Sequence, residues 1–149
     1  MKILVINGPN LNMLGKRNPK IYGTKTLADI ESEIASYAKK KGIDTEFFQS
    51  ACEGEIVNKL NGAYGSADGI IINAGAYTHY SYAIRDALEI LDVPKIEVHL
   101  SDIHARETFR NISVIEEVCT LQIAGLGDKG YVMAVDEIIK ILSEENSKR

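Results

Sequence analysis

The chain has 149 residues, of which 45% are hydrophobic and 26% are charged, so one globular domain with an ordinary core is expected. The formal net charge of −4 makes nucleic acid a poor candidate for the main partner. Cys52 and Cys119 lack the CxxC spacing and predict two reduced thiols in a cytoplasmic protein. The first apolar run is too short for a signal peptide or a membrane span, so no membrane association is expected.

Strands and helices are predicted to alternate along the chain. A strand over 2–6 is followed by a long loop over 8–25, which carries four cations. Thr26 and Asp29 resemble a capping box and predict a helix start, after which apolar residues recur at helical spacing until Gly42. The later predicted strands are at 45–49, 69–73, 95–99 and 119–124. The later predicted helices are at 54–64, from Ser81 to before Val93, and at 131–143 with a frayed tail at 144–149. The polar stretch 101–111 is predicted to form a short helix or turn, and 113–118 another turn of helix.

Five strands that alternate with helices predict a parallel sheet between two helical layers. No repeat, linker or low-complexity segment divides the chain, so a single domain over 1–149 is predicted. Periodicity does not determine the strand order. The common five-strand solution is a flavodoxin-like, doubly wound α/β sheet with order 2-1-3-4-5 and helices on both faces.

Three of the predicted strands run into polar segments at their carboxyl ends. The segments are NGPN at 7–10, NAGAYTH at 73–79 and HLSD at 99–102. Ligands of open parallel sheets bind in the crevice outside the carboxyl ends of the strands. The three segments are therefore predicted to meet in one active site.

Candidates for a general acid and a general base lie in or near these segments. Glu97 and His99 are two residues apart on one strand and so point to the same face, where a carboxylate can orient an imidazole and favour its protonated form. Tyr22 follows Arg17 in the cationic loop, and arginines stabilise the phenolate that a tyrosine base requires. Any one of these residues alone could equally be structural, but together they indicate acid–base catalysis.

The remaining charged residues indicate what kind of ligand the site takes. Arg106 and Arg110 would share a face if their segment is helical. Cations in an acidic protein favour an anionic small molecule, although a solvated charged loop is the simpler reading. His79, His99 and His104 show no metal-ligand spacing, so no metal site is predicted, and His104 is expected to be a solvated surface residue.

Two other functions remain open for this fold class. Residues 125–130 match GxGxxG, but a dinucleotide-binding unit needs a further strand with an acidic residue, and only one helix follows here. A flavin- or nucleotide-binding protein would be recognised by its flavin absorbance. A receiver-like module needs acidic residues after the first and third strands, where this chain has Asn7-Gly8 and Asn73-Ala74.

Several segments of the chain match the motifs of one known family, in the same order and at the same spacings. The match extends over nearly the whole chain. They are INGPNLN at 6–12, Arg17 with Tyr22-Gly23, EGE at 53–55, NAGAYTH at 73–79, RDAL at 85–88, EVHLS at 97–101, ARE at 105–107 with Phe109-Arg110, and GLG at 125–127 with Gly130-Tyr131. Together they resemble type II 3-dehydroquinate dehydratase. Ala51, Cys52, Asp102 and Leu121 depart from that family's usual pattern, and none of them is a catalytic position in it.

The resemblance implies a hydro-lyase of the shikimate pathway, which leads to chorismate and the aromatic amino acids. Anti elimination of water from 3-dehydroquinate would give 3-dehydroshikimate reversibly through an enolate, with no imine, metal or cofactor. Tyr22 would remove the proton beside the ketone, assisted by Arg17 on a mobile lid. Asn10 would stabilise the enolate through a water. His99, oriented by Glu97, would protonate the leaving hydroxyl.

The resemblance also implies which residues bind the substrate and how the subunits assemble. The substrate-binding positions it implies are Asn73, His79, Asp86, Leu100, Ser101 and Arg110. Asn73 and the backbone amides of Leu100 and Ser101 would hold the substrate carboxylate. Asp86 would reach the site from a neighbouring subunit of a homododecamer built from four trimers.

Overall fold

The computed structural model describes residues 1–149 and contains one five-stranded, fully parallel sheet. The strands are β1 (Lys2–Asn7), β2 (Asp44–Gln49), β3 (Gly69–Asn73), β4 (Lys95–His99) and β5 (Leu121–Ala124). Their order is 2-1-3-4-5, which confirms the predicted topology. Because the chain turns to one side after β1 and to the other side after β3, a crevice opens between the carboxyl ends of these two strands.

Helices cover both faces of the sheet. They are α1 (Pro19–Tyr22), α2 (Leu27–Lys40), α3 (Glu53–Gly62), α4 (Tyr82–Ile90) and α5 (Lys129–Ser147). Apolar residues of α2 and α5 form one core on one face, and those of α3 and α4 form a second core on the other. Every residue of β3 is buried, as expected for a central strand covered on both sides. None of the helices combines the length and the apolar character that a membrane crossing requires.

Local capping signals set two helix starts, as predicted. Thr26 Oγ1 accepts from the Asp29 amide, and the Asp29 carboxylate accepts from the Thr26 amide, so the capping box of α2 is complete. Ser81 Oγ accepts from the Ile84 amide at 3.1 Å and begins α4.

Several predicted boundaries are wrong. The predicted tail at 144–149 is helical over most of its length, because α5 continues to Ser147, although every residue from 143 onward is exposed. β5 begins at Leu121 rather than at Cys119, whose amide instead closes the 3₁₀ turn Glu116–Val118. α3 spans Glu53–Gly62 instead of 54–64.

The loops at the crevice contain short turns that periodicity cannot reveal. The 8–25 loop holds a 3₁₀ turn at Leu11–Met13 and the short helix α1, which is capped by Asn18. The polar stretch 101–111 forms two 3₁₀ turns, Ile103–Ala105 and Thr108–Arg110.

The ends of β1 and β3 approach each other so closely that only glycine fits. A Cβ at Gly8 would lie 2.4 Å from the carbonyl oxygen of Ala74. Gly75 has φ of +60°, and a Cβ there would lie 3.0 Å from the carbonyl oxygen of Pro9. This backbone-on-backbone packing holds the segments after β1 and β3 side by side at the crevice.

Candidate active site

A cleft lies at the carboxyl ends of β1, β3 and β4, as the sequence predicted. Its walls come from the loop after β1, the 3₁₀ turn after β3 and the polar segment after β4. The polar side chains and backbone positions around it are Asn10, Arg17, Tyr22, Asn73, His79, His99, Leu100, Ser101, Arg106 and Arg110. The cleft is therefore rich in cations and hydrogen-bond donors.

His99 lines the cleft and is backed by a buried carboxylate, Glu97. Glu97 is fully buried, and its Oε2 is hydrogen-bonded to Nε2 of His99. Ser113 Oγ donates to Glu97 at 2.8 Å and Gln122 Nε2 donates at 2.9 Å. Burial disfavours the charged carboxylate, but the hydrogen bonds from His99, Ser113 and Gln122 outweigh burial and lower the pKa of Glu97.

An ionised Glu97 determines how His99 presents its ring. The carboxylate accepts the Nε2 proton, so Nε2 is the donor toward Glu97. Nδ1 has no protein partner, and His99 lines the cleft. A protonated His99 can therefore give its Nδ1 proton to a ligand while Glu97 stabilises the ring.

Two guanidinium groups lie close to Tyr22. Arg106 Nη1 donates to Tyr22 Oη at 2.8 Å. The Cζ atoms of Arg17 and Arg106 lie 3.7 Å and 5.4 Å from the centroid of the Tyr22 ring. Tyr22 is the one tyrosine that lines the cleft, and its hydroxyl accepts a hydrogen bond from a cationic side chain.

Unused backbone donors lie beside His99. No acceptor within the chain takes a hydrogen bond from the amides of Leu100 and Ser101. The turn 125–130 holds this segment in place, because the amide of Gly127 donates to the Leu100 carbonyl at 3.0 Å and that of Gly125 to the Ser101 carbonyl at 3.1 Å. Two amides of the GxGxxG turn are therefore already hydrogen-bonded within the chain. The free amides of Leu100 and Ser101 suit a carboxylate ligand.

Two more side chains that line the cleft, His79 and Arg110, offer further polar contacts. His79 Nδ1 donates to the Ile112 carbonyl at 2.7 Å. Burial lowers the pKa of His79, and the nearby charges of His99 and Arg110 lower it further, so its Nε2 is an acceptor in the neutral ring. Arg110 donates through Nε to Glu107 at 3.0 Å and lines the cleft.

Asn10 has the one unusual backbone conformation at the site. It is the only non-glycine residue with positive φ, at 68°, and its side chain makes no hydrogen bond within the chain. Left-handed backbone is tolerated by asparagine better than by most residues, and such conformations cluster at functional sites. Its amide is free to meet a ligand or a bound water.

The family model Dehydroquinase class II matches residues 1–139 of the chain. This chain belongs to that family. It is 55% identical over 146 residues to a 3-dehydroquinate dehydratase of Thermotoga neapolitana, and the match covers 98% of this chain and 99% of that protein.

Solved structures of the class II dehydroquinases agree. The crystal structure of type II dehydroquinase from Butyrivibrio crossotus superposes with a TM-score of 0.91 at 55% identity, covering 93% of this chain and 97% of that one. The structure of the Propionibacterium acnes type II dehydroquinase gives a TM-score of 0.88 at 44% identity, covering 91% and 93%. The flavodoxin-like fold is thus the fold of the family.

In this family member, all but two of the predicted site residues line the cleft. Glu97 lies behind His99 and acts on it from beneath. Asp86 lies on the exposed side of α4, and it does not line the cleft of its own subunit. Any contribution of Asp86 to a site would therefore have to be made in another subunit.

Sequence reasoning missed several residues of the site. The sequence gives Arg106 no contact with the proposed base, whereas in the structure its Nη1 donates to the Tyr22 hydroxyl. Gln122 was not recognised, although it is the register neighbour of Glu97 on β5. His104 is exposed as predicted, and its Nε2 lies 3.3 Å from Gln122 Oε1. Only the register between β4 and β5 indicates that Gln122 contacts Glu97, and that register is known only once the strand order is known.

The loop over 11–25 is predicted to be a lid over the cleft. Between the buried Leu14 and Leu27, no side chain of this segment is buried, while Arg17 and Tyr22 line the cleft. Lys25 ties the end of the segment to Glu33 and Asp128 at 2.7 Å and 2.8 Å. Few apolar anchors favour local opening, and a bound anion would draw Arg17 inward.

Limited trypsin digestion tests the lid. The first cut of the unliganded protein should fall at Lys16, Arg17 or Lys20, and saturating 3-dehydroshikimate should slow it strongly. Cutting at Lys148, in the exposed carboxyl terminus, is the internal control and should not change. Equal cutting of the loop with and without ligand would mean that it is not a lid.

Proposed function

We propose that this chain dehydrates 3-dehydroquinate to 3-dehydroshikimate with Tyr22 as the base and His99 as the acid. The observation that carries this assignment is the pairing of a tyrosine held by two arginines with a carboxylate-backed histidine in one cleft. The reaction needs a base to take a proton beside a ketone and an acid to protonate a leaving hydroxyl. The cleft contains one group suited to each task.

The first step is removal of the proton beside the ketone. The Tyr22 phenolate accepts that proton, and the electron pair moves onto the ketone oxygen to form an enolate. Arg106 and Arg17 stabilise the phenolate before the step. Asn10, with its free side-chain amide, stabilises the developing enolate oxygen through a water.

The second step is loss of water. The enolate electrons return, the bond from carbon to the hydroxyl oxygen breaks, and the Nδ1 proton of His99 passes to that oxygen. Glu97 stabilises the imidazolium before transfer and holds the ring afterwards. Water and the conjugated enone leave, and Tyr22 and His99 regain their starting protonation states by exchange with solvent.

Substrate orientation comes from the donors around the cleft. Asn73 and the free amides of Leu100 and Ser101 hold the substrate carboxylate, at the point where β4 gives way to its polar segment. His79 and Arg110, which also line the cleft, contact the ring hydroxyls. Fixing the ring in this way aligns the proton and the leaving hydroxyl for anti elimination.

The direct test is to add 3-dehydroquinate to the purified protein and follow the absorbance of the conjugated enone product. Absorbance should rise with time and in proportion to enzyme. A protein that leaves 3-dehydroquinate unchanged would contradict the proposal, and a flavin spectrum in the purified sample would favour the flavin-binding alternative.

Turnover is expected to need neither an imine nor a metal. The cleft contains no lysine, and no group of three or more His, Cys, Asp or Glu side chains is arranged around a common point. Sodium borohydride added with substrate, and EDTA added alone, should each leave the rate unchanged. Inactivation by borohydride would indicate a covalent imine, and inactivation by EDTA would indicate a metal.

We also propose that the chain forms a homododecamer built from four trimers. Its proposed location is the reducing cytoplasm, because Cys52 and Cys119 are both unpaired. The exposed face of α4 supports self-association, because Tyr82 and Ile90 remain 67% and 59% exposed beside Asp86.

Light scattering on the purified protein measures the assembly. The mass should be many times the 16.4 kDa of one chain. A fully active monomer would remove Asp86 from the site.

A further inference from the structure

A buried hydrogen-bonded trio lies directly beneath the cleft. Asn7 and Tyr131 are fully buried, and Asn73 is 4% exposed. Asn7 and Asn73 are register partners at the ends of β1 and β3, so their side chains lie next to each other on one face of the sheet. Tyr131, in the first turns of α5, brings its hydroxyl to both amides.

The hydrogen bonds in this trio run from Asn73 through Tyr131 to Asn7. The Tyr131 hydroxyl donates to Asn7 Oδ1 at 2.5 Å and accepts from Asn73 Nδ2 at 3.2 Å. Burial raises the pKa of Tyr131 strongly, so the hydroxyl keeps its proton throughout the neutral range. Because its one proton is committed to Asn7, the hydroxyl can only accept from Asn73.

The orientation of the Asn73 amide follows from these bonds. Its Oδ1 accepts from the Gly75 amide at 3.1 Å, and one Nδ2 proton goes to Tyr131. Asn73 also lines the cleft, and its second Nδ2 proton has no partner in the chain. The amide therefore presents a donor, not an acceptor, to a bound ligand.

The direction of these hydrogen bonds leaves one donor of the Asn7 side chain without a partner. Its Nδ2 is buried and has no hydrogen-bond partner. A buried unsatisfied donor is destabilising, and flipping the Asn7 amide would instead place Nδ2 against Tyr131. That flip would turn the Tyr131 proton toward Asn73, reverse the Asn73 amide and deprive Gly75 of its acceptor.

We propose that Tyr131 is a positioning residue that keeps the Asn73 amide turned with its N–H toward the substrate carboxylate. The proposal rests on the proposed function, in which Asn73 contacts that carboxylate. Tyr131 does not line the cleft, and it acts only through Asn73. Without the hydroxyl, the amide could present its oxygen to the anion and repel it.

The test begins with Tyr131→Phe, which keeps the buried ring and removes only the hydroxyl. Because the carboxylate keeps its charge from the bound substrate to the transition state, losing this contact weakens both equally, so KM for 3-dehydroquinate should rise about tenfold while kcat changes less than threefold. Tyr37→Phe is the matched control, since Tyr37 is also a tyrosine of the same core face whose hydroxyl bonds Asp136 at 2.7 Å. Its KM should not change.

A double-mutant cycle separates positioning from a general loss of packing. Asn73→Ala alone should raise KM, and adding Tyr131→Phe to it should raise KM less than twofold more. Multiplicative effects, an unchanged KM in Tyr131→Phe, or an unchanged KM in Asn73→Ala would each overturn the proposal. If Tyr131→Phe fails to fold, Asn7→Ala gives a second route, because it frees the Tyr131 proton and should also raise KM.

The outcomes also distinguish this proposal from the function on which it rests. A wild-type protein that does not dehydrate 3-dehydroquinate would contradict the proposed function itself. If the wild type is active but the effects of Tyr131→Phe and Asn73→Ala on KM multiply, only the positioning role of Tyr131 is overturned.

Discussion

Replacing Tyr22 by phenylalanine is expected to reduce kcat by at least about 100-fold, the scale of a lost general base. The substitution removes only the hydroxyl that accepts from Arg106 at 2.8 Å, so the ring and its contact with Arg17 remain. Steady-state kinetics with 3-dehydroquinate measure the loss. Binding of 3-dehydroshikimate, followed by calorimetry, should change far less, because the carboxylate-holding groups are untouched.

The matched control for this variant is Tyr64→Phe. Tyr64 is 69% exposed and lies outside the cleft, so its loss of a hydroxyl should leave kcat within twofold of the wild type. If Tyr22→Phe kept wild-type turnover, another group would have to be the base.

Replacing Glu97 by glutamine is expected to lower kcat by about 100-fold or more with little change in KM. Glu97 is fully buried beneath His99, so it does not touch the ligand and acts only on the acid. A neutral amide cannot stabilise the imidazolium, and its nitrogen would face the donors of Ser113 and Gln122. Those unsatisfied donors should also lower the free energy of unfolding by about 1–3 kcal/mol.

The same variant should change how stability depends on pH. Folding lowers the pKa of Glu97, so the ionised carboxylate stabilises the wild type above the unfolded value of about 4.3. That contribution is lost as the pH falls through the lower folded-state pKa. Chemical denaturation between neutral pH and about pH 3 should therefore show a weaker acid dependence in Glu97→Gln than in the wild type.

Glu144→Gln is the control for charge loss at an exposed glutamate of α5, and it should change neither kcat nor acid stability. Wild-type turnover in Glu97→Gln would show that His99 needs no carboxylate. A parallel acid profile in the two proteins would show that Glu97 does not contribute to the pH dependence.

Local rules were enough to predict much of the fold and the site. The capping box of Thr26 and Asp29 depends on residues three apart, so it forms wherever that helix lies. Glu97 and His99 share a face because side chains alternate along a strand. The polar segments after β1, β3 and β4 meet because the carboxyl ends of parallel strands share one edge, and nearly all the predicted site residues accordingly line one cleft.

Boundaries that depend on packing were predicted less well. The sequence places the start of β5 at Cys119, yet the amide of Cys119 closes the 3₁₀ turn Glu116–Val118 and the strand begins only at Leu121. The loop over 8–25 contains a helix, α1, that is too short to show a period. Helix ends and short turns are decided by which surface lies beneath them, and no local pattern encodes that surface.

The contacts that support the proposed base and acid depend on tertiary structure alone. Arg106 reaches Tyr22 from 84 residues away, and Gln122 meets Glu97 only because β5 pairs with β4 in that register. Tyr131 joins two asparagines that are neighbours only because β1 pairs with β3. The sequence, through its resemblance to the dehydratase family, predicted the proposed acid and base, and the strand pattern placed Glu97 and His99 at the end of β4. Which residues orient and stabilise them depends on the strand order and on the helix that crosses it, because contacts between distant segments exist only once the sheet has formed.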